Sequence, residues 1–321
     1  MRKLLFILAT MAISFTGCSS DTSGNEIYEK LLLVRPGTYI YDAAAFQNEM
    51  SMQPADVAIR LAILRAETVK QTGSTAGMND VKIDKYGNLK TFLFGTQSIV
   101  AERSNGVYEI TYVGQNISAT SPDAFIRKGT FSIQTQGIAL EETDETNTWI
   151  ATQTSDKVTI KNGNQTVTNL KDASSKTIIY RDGTSYAIHV ENYIAYYVSE
   201  QWKSLWSGRF TWIPSKTTDL SYETLKGTSF TLDGQGRGTT FASANNRTAA
   251  RMSYSIANGE YNPARSGSYR MLIGGTSRAE FTDSNDYNVA DYPSPSVIYK
   301  WNVVDNTLKI TISYNNNTVT I

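Results

Sequence analysis

The two residue types that most often carry out chemistry in proteins, histidine and cysteine, occur once each in this chain, as His189 and Cys18. A single histidine excludes His-rich zinc sites, the HExxH metalloprotease motif and binuclear histidine clusters, because each needs at least two imidazoles. A Ser-His-Asp triad would have to use His189, and no G-x-S-x-G nucleophile elbow occurs. Alternation puts His189 with Ser185, Ala187 and Glu191, opposite Tyr186, Ile188 and Val190, so it reads as a solvent-facing bystander. Gly234-Gln235-Gly236-Arg237-Gly238 could let a backbone approach phosphate, but the apolar helix that chemistry requires does not follow. Thr239 to Arg247 is mostly polar and includes Asn245-Asn246, so a hairpin turn is expected at the glycines.

Two acidic groups offer oxygen ligands. Glu141, Glu142, Asp144 and Glu145 precede Trp149, and Asp283, Asn285, Asp286, Asn288 and Asp291 form a second set. The second lacks an EF-hand's central glycine and terminal glutamate, and both read as solvated loops. Carboxylate pairs for glycoside hydrolysis are defined by spacing in three dimensions, and no local pattern singles one out among 30 acidic residues. No catalytic residue, metal or cofactor is therefore expected.

The densest feature is aromatic. Tyr193, Tyr196, Tyr197, Trp202, Trp206 and Trp212 fall within 20 residues, interspersed with Glu200, Gln201, Lys203 and Arg209. Flat rings beside hydrogen-bonding groups suit a platform for a glycan or a small apolar ligand. The same residues suit equally a core joining two subdomains. Trp149 and Trp301 lie in alternating stretches and are expected in the core.

Helical periodicity is clear in one place. From Ala55 to Lys70, Val57, Leu61, Leu64 and Thr68 share a face and Ile59, Ile63 and Ala66 lie beside them, a wide apolar arc to bury against a sheet. Pro54 suits its first turn, Asp56 the positive end of its dipole, and Gly73 and Gly77 close the segment. Met50 and Met52 read as packing filler. After Asp80 the period becomes 2, with short strands between turn signals: Tyr108, Ile110 and Tyr112; Val158 and Ile160 up to Asn162-Gly163; Ile178 and Tyr180 up to Asp182-Gly183. Val297, Tyr299, Trp301 and Val303 lead to Asp305-Asn306, Leu308 to Tyr314 returns, and Val319 and Ile321 suggest one more strand. The expected fold is mainly β, an antiparallel meander forming a barrel or sandwich, with one N-terminal α-helix. A polar stretch from Pro214 to Gly227 suggests a boundary between residues 28–213 and 214–321.

The N-terminus carries an address. Arg2 and Lys3 precede the ten apolar residues Leu4 to Ile13, half of the roughly 20 that a membrane span requires. They read as an export signal, residues 1–17, ending in Phe15-Thr16-Gly17-Cys18. This segment resembles the lipobox of bacterial lipoproteins, with Phe15 where the family usually has leucine. The resemblance implies a diacylated Cys18 as the new N-terminus, tethered through residues 18–27, and an address at the cell envelope. Asp21 does not directly follow the cysteine, so outer-membrane anchoring is expected. Lipidation removes Cys18 from thiol chemistry and metal ligation. The chain has 30 basic and 30 acidic residues, and losing Arg2 and Lys3 leaves a slight acidic excess with no pull toward nucleic acid. The Asn-, Thr- and Tyr-rich body resembles lipoproteins of the Bacteroidetes. Its C-terminal part, with GTSFTLDGQG and the final YKWNVVDNTLKITI hairpin, loosely resembles lipocalin-like domains. The expected role is non-enzymatic binding of a glycan or small apolar ligand; the alternative is an assembly subunit that engages another envelope protein through a sheet edge.

Overall fold

A computed structural model describes residues 22–83, 87–104, 106–114, 126–135, 149–162, 165–183, 185–197, 202–214, 230–242, 247–261, 272–283 and 292–321. Cys18, the acidic group 141–145, the loop residues Asn285, Asp286, Asn288 and Asp291, and the stretch 215–227 lie outside them.

Among the described residues there are three helices: α1 (Thr22–Ser51), α2 (Gln53–Thr72) and α3 (Leu89–Phe94). The periodic segment forms α2, with Pro54 in its first turn and Gly73 closing it in the left-handed region (φ 76°), its N–H donating to the Val69 carbonyl at 2.8 Å. Met50 and Met52 are buried packing residues. The long α1 was not expected, and it begins at Thr22, within the stretch read as a tether. Its buried positions include Gly37, Gln47, Asn48 and Ser51 and, from Ile40 to Ser51, lie on nearly every side of the helix. No single apolar stripe therefore stands out in the sequence. Pro36 inside the helix hides it further. No described helix is long and apolar enough to cross a membrane.

Two short strands, β1 (Lys82–Ile83) and β2 (Gly87–Asn88), pair with each other. The other 15 strands form one antiparallel sheet, a barrel-like meander. In chain order they are β3 (Ile99–Ser104), β4 (Val107–Val113), β5 (Ile126–Thr135), β6 (Trp149–Gln153), β7 (Lys157–Asn162), β8 (Gln165–Leu170), β9 (Lys176–Asp182), β10 (Ser185–Tyr197), β11 (Trp202–Pro214), β12 (Phe230–Ala242), β13 (Arg247–Tyr261), β14 (Leu272–Asp283), β15 (Ser296–Val304), β16 (Thr307–Tyr314) and β17 (Asn317–Thr320).

From β10 to β17 each strand pairs with the next. Val304 pairs with Thr307 across Asp305-Asn306, and Tyr314 with Asn317 across Asn315-Asn316; all four turn residues have φ between 47° and 62°. Those values belong to type I′ turns, whose twist matches paired strands. Between β5 and β10 the sheet splits: β6 and β9 bridge one end, β7 and β8 the other. Gly129 marks the split on β5, with φ 123°, and a Cβ there would stand 2.7 Å from the Lys157 carbonyl oxygen. Only glycine fits such a backbone crossing.

α1 lies on β10, β11 and β13 to β17, and α2 on β5, β6 and β9. The helix-facing side chains form one buried cluster running from Val34 to Val319. The segment read as a boundary joins strands that pair along their whole length, from Trp202 with Ala242 to Pro214 with Phe230.

Candidate functional site

The aromatic run occupies β10 and β11, and a β-bulge decides which way its rings point. On β10, Val190 pairs with Gly208 and Tyr193 with Trp206, so two residues, Glu191 and Asn192, stand opposite Ser207 alone. Asn192 takes φ 51° and its N–H donates to Ser207 Oγ at 3.1 Å. The extra residue reverses the alternation. Before it Tyr186, Ile188 and Val190 are buried; after it Tyr193 and Ala195 are, leaving Tyr196 half-buried on the other face. Trp206, Trp212 and Tyr193 are 1%, 5% and 2% exposed, so these three belong to the core and present no ring to solvent. That corrects the platform reading for them. The side chains of Trp202 and Tyr197 lie outside the described set. His189, half-buried on the face away from the helices, meets the Tyr180 ring edge-on at 5.4 Å.

The glycine run is not a turn. Gly234 to Gly238 lie inside β12, where Gly238 pairs with Trp206 and Gly234 with Phe210. A Cβ at Gly238 would collide with the Trp206 ring, and one at Gly234 would stand 2.8 Å from the Phe210 ring. The glycines leave room for two large rings to lie against the sheet, a packing demand that alternation alone does not reveal.

Over the Trp206 ring sits α1. Asn48 Oδ1 accepts from Trp206 Nε1 at 3.2 Å. Gln47 accepts from Ser204 Oγ at 2.7 Å and donates to Thr240 Oγ1 at 3.1 Å. Further along, the Tyr41 ring stacks on Tyr299 at 3.8 Å, and the Tyr41 and Ser277 hydroxyls bond at 2.7 Å. Trp301 Nε1 also donates to Ser277 Oγ, at 3.1 Å. Beside them burial pushes the Asp42 carboxyl up to about 7. Burial, followed by the Asp42 charge, raises the Tyr299 hydroxyl well above its ordinary value.

A charge cluster that sequence reasoning missed joins α2 to β5. Asp56 Oδ2 accepts from Arg60 Nε at 2.9 Å and from Arg127 Nη2 at 2.7 Å. Arg127 also donates twice to Gln53 Oε1, at 3.1 and 2.8 Å, and lies over the Tyr112 ring at 5.4 Å. Arg60 Nη1 donates to the Leu93 carbonyl at 2.7 Å. One turn further on, the Arg65 guanidinium lies over Tyr108 at 5.1 Å and Trp149 at 5.6 Å. The available signal was the i, i+4 spacing of Asp56 and Arg60 within an otherwise apolar helix. These groups point between helix and sheet, and their hydrogen bonds fix α2 in register.

No family model, curated protein or solved structure matches this chain. Among the described residues, no cluster of three or more His, Cys, Asp or Glu could hold a metal ion.

Among the described residues the large sheet has two edges, β17 and β3. β17 is four residues long, and its Thr318 and Thr320 hydroxyls bond those of Ser313 and Thr311 at 3.1 and 2.9 Å. A short polar edge of this kind resists adding another strand. β3 differs. Its six residues begin with Ile99, 59% exposed, which pairs with Thr111; Val113, 48% exposed, follows two residues along the same face of β4. Among the described residues no strand pairs with the outer edge of β3.

Proposed function

We propose that this protein is a non-enzymatic, lipid-anchored cell-envelope subunit that engages another envelope protein by taking one of its strands onto β3. The supporting observation is the β3 edge, with Ile99 and Val113 exposed beside it. Strand addition draws affinity from main-chain hydrogen bonds and specificity from alternate side chains, and β3, with its exposed Ile99, Glu102 and Arg103, offers both. A glycan platform would need ring faces at the surface, whereas Trp206, Trp212 and Tyr193 are in the core and α1 covers the helix-facing side of the sheet. The binding role therefore passes from the aromatic run to the edge.

The test is an in-cell photocrosslink. A photoreactive phenylalanine analogue at Ile99 is expected to give one discrete adduct with an envelope protein, and the β3 amides should exchange more slowly in intact envelopes than in purified protein. Ile99→Lys should abolish the slowing without moving the unfolding midpoint, since it charges an exposed edge. Absence of any adduct, with equal exchange in both settings, would refute strand addition at β3.

A further inference from the structure

Four of the eight exposed large hydrophobic side chains among the described residues sit within seven residues of α1: Ile27, Tyr28, Leu32 and Leu33, between 44% and 62% exposed. Leu31, beside them, is partly buried and packs against the core cluster. At 3.6 residues per turn, Ile27, Tyr28 and Leu32 fall within an arc of about 140°. That arc lies off the docked face of the helix, which begins at Val34 and continues through Gly37 and Tyr41 onto the sheet. At Gly37 a Cβ would stand 2.5 Å from the Tyr314 ring, so the helix touches β16 closely and the apolar turns project ahead of a fixed support. Scattered exposed apolar residues are ordinary, but a contiguous patch on one helix end marks a contact surface.

The chain ahead of the patch indicates what covers it. Only three residues separate Cys18 from the start of α1 at Thr22, four chain steps that reach at most about 14 Å. Ile27 to Leu32 lie within about 15 Å further along the helix. We infer that the first turns of α1 lie in the interfacial layer of the membrane that holds the Cys18 lipid, with Ile27, Tyr28 and Leu32 among the upper acyl chains. This rests on the lipoprotein reading of the N-terminus and extends it from a flexible anchor to a rigid seat. A helix held in this way buries its apolar face a few ångströms below the headgroups and carries basic residues at the rim. Lys30, paired with Glu26 at 2.6 Å, and Arg35, whose Nε donates to Tyr39 Oη at 2.7 Å, stand at that level and can extend their charges to lipid phosphates. Tyr28 has the amphipathic ring favoured at a membrane boundary. Because α1 is also packed on β14 to β17, the seat fixes the orientation of the sheet above the membrane.

Lipidation consumes the only native thiol, so Leu32→Cys in the acylated full-length protein gives a single labelling site. Labelled with an environment-sensitive fluorophore and reconstituted into phosphatidylethanolamine–phosphatidylglycerol vesicles, it is expected to shift to the blue. A nitroxide carried on a lipid chain should quench it at least about twofold more than the same label at Val69→Cys on α2. Val69 is 45% exposed, which makes it a matched control. Equal quenching at both sites, in protein whose mass shows the acyl chains, would overturn the interfacial seat and leave the lipoprotein reading intact. A blue shift that depends on protein concentration and needs no lipid would overturn it in favour of a second copy of the chain. Protein recovered without acyl chains would overturn the lipoprotein reading, and the seat with it.

Discussion

Replacing Asp56 with asparagine keeps the shape of the side chain and removes the single carboxylate shared by two arginines. Both guanidinium groups are fully buried, and the Asp56 side chain is 9% exposed. Breaking a buried ion pair costs about 3–5 kcal/mol, because a charge is left out of water without compensation. Two features place this case near the lower figure. Gln53 Oε1 and the Leu93 carbonyl still accept from the two arginines, and the slight exposure of Asp56 admits some solvent. A loss of about 3 kcal/mol is therefore expected, a large share of the roughly 5–15 kcal/mol that holds a folded protein together. Urea unfolding measures it directly, with the fluorescence of Trp149 and Trp206, each 1% exposed, as the reporter. The midpoint should fall with little change in slope. The combined variant Asp56→Leu, Arg60→Met, Arg127→Met removes all three charges together and should match or exceed the wild type. A loss under about 1 kcal/mol for Asp56→Asn, or a triple variant less stable than the single one, would refute the account of the cluster as mutually dependent buried charges.

Asp42 predicts a pH dependence. Its carboxyl is raised in the fold from an ordinary 3.8 to about 7, so the native state holds a proton that the unfolded chain has released. The stabilisation is fully present below about pH 4 and is lost as pH rises to about 7, by at most about 4 kcal/mol and by less where solvent reaches the half-buried group. Asp42→Asn should remove this slope, and unfolding curves at pH 5 and 8 that shift equally in both proteins would refute it. Gly238→Val should destabilise by several kcal/mol, since its side chain meets the Trp206 ring and the Leu205 carbonyl. Adding Trp206→Ala should recover part of that loss, a coupling a thermal-unfolding double-mutant cycle detects and two independent effects would not produce.

The strands were legible because one face of each is buried, which makes period 2 visible: Tyr108, Ile110 and Tyr112 are all in the core. The last hairpins were legible because Asp305-Asn306 supplies the positive φ that a tight turn demands. Helix α2 was legible through its apolar arc. What stayed hidden was hidden for physical reasons. α1 buries Gly37, Asn48 and Ser51 on its docked face, so hydrophobic periodicity passes over it. The glycines of β12 were read as a turn because their reason for being there, the rings of Trp206 and Phe210, sits on the neighbouring strand. The bulge at Asn192 reverses the faces after Val190, so alternation carried on from Tyr186 would turn Tyr196 inward in place of Tyr193. Gln53, Asp56, Arg60 and Arg127 come together across 74 residues, and only the Asp56–Arg60 spacing was local.

The polar residues on the docked face of α1 bear on why the sheet encloses a helix in place of a ligand. Apolar contacts alone would let a long helix slide along or rotate over a broad sheet at little cost, because such contacts are non-directional. Gln47 and Asn48 change this, since each hydrogen bond to Ser204, Thr240 or Trp206 forms in one register only. Shifting the helix would leave these buried groups unpaired, and each unpaired group costs about 1–3 kcal/mol. At the other end of the docked segment, the Tyr41 hydroxyl meets Ser277, so the helix is pinned at two points along its length. Such a helix can transmit orientation. If Ile27 to Leu32 occupy the membrane interface as proposed, with Tyr41 to Asn48 locked to the strands, turning the sheet relative to the membrane would require breaking one contact or the other. A helix that covers the helix-facing side of the sheet leaves its edges and its own first turns exposed, which is where both proposed contacts lie.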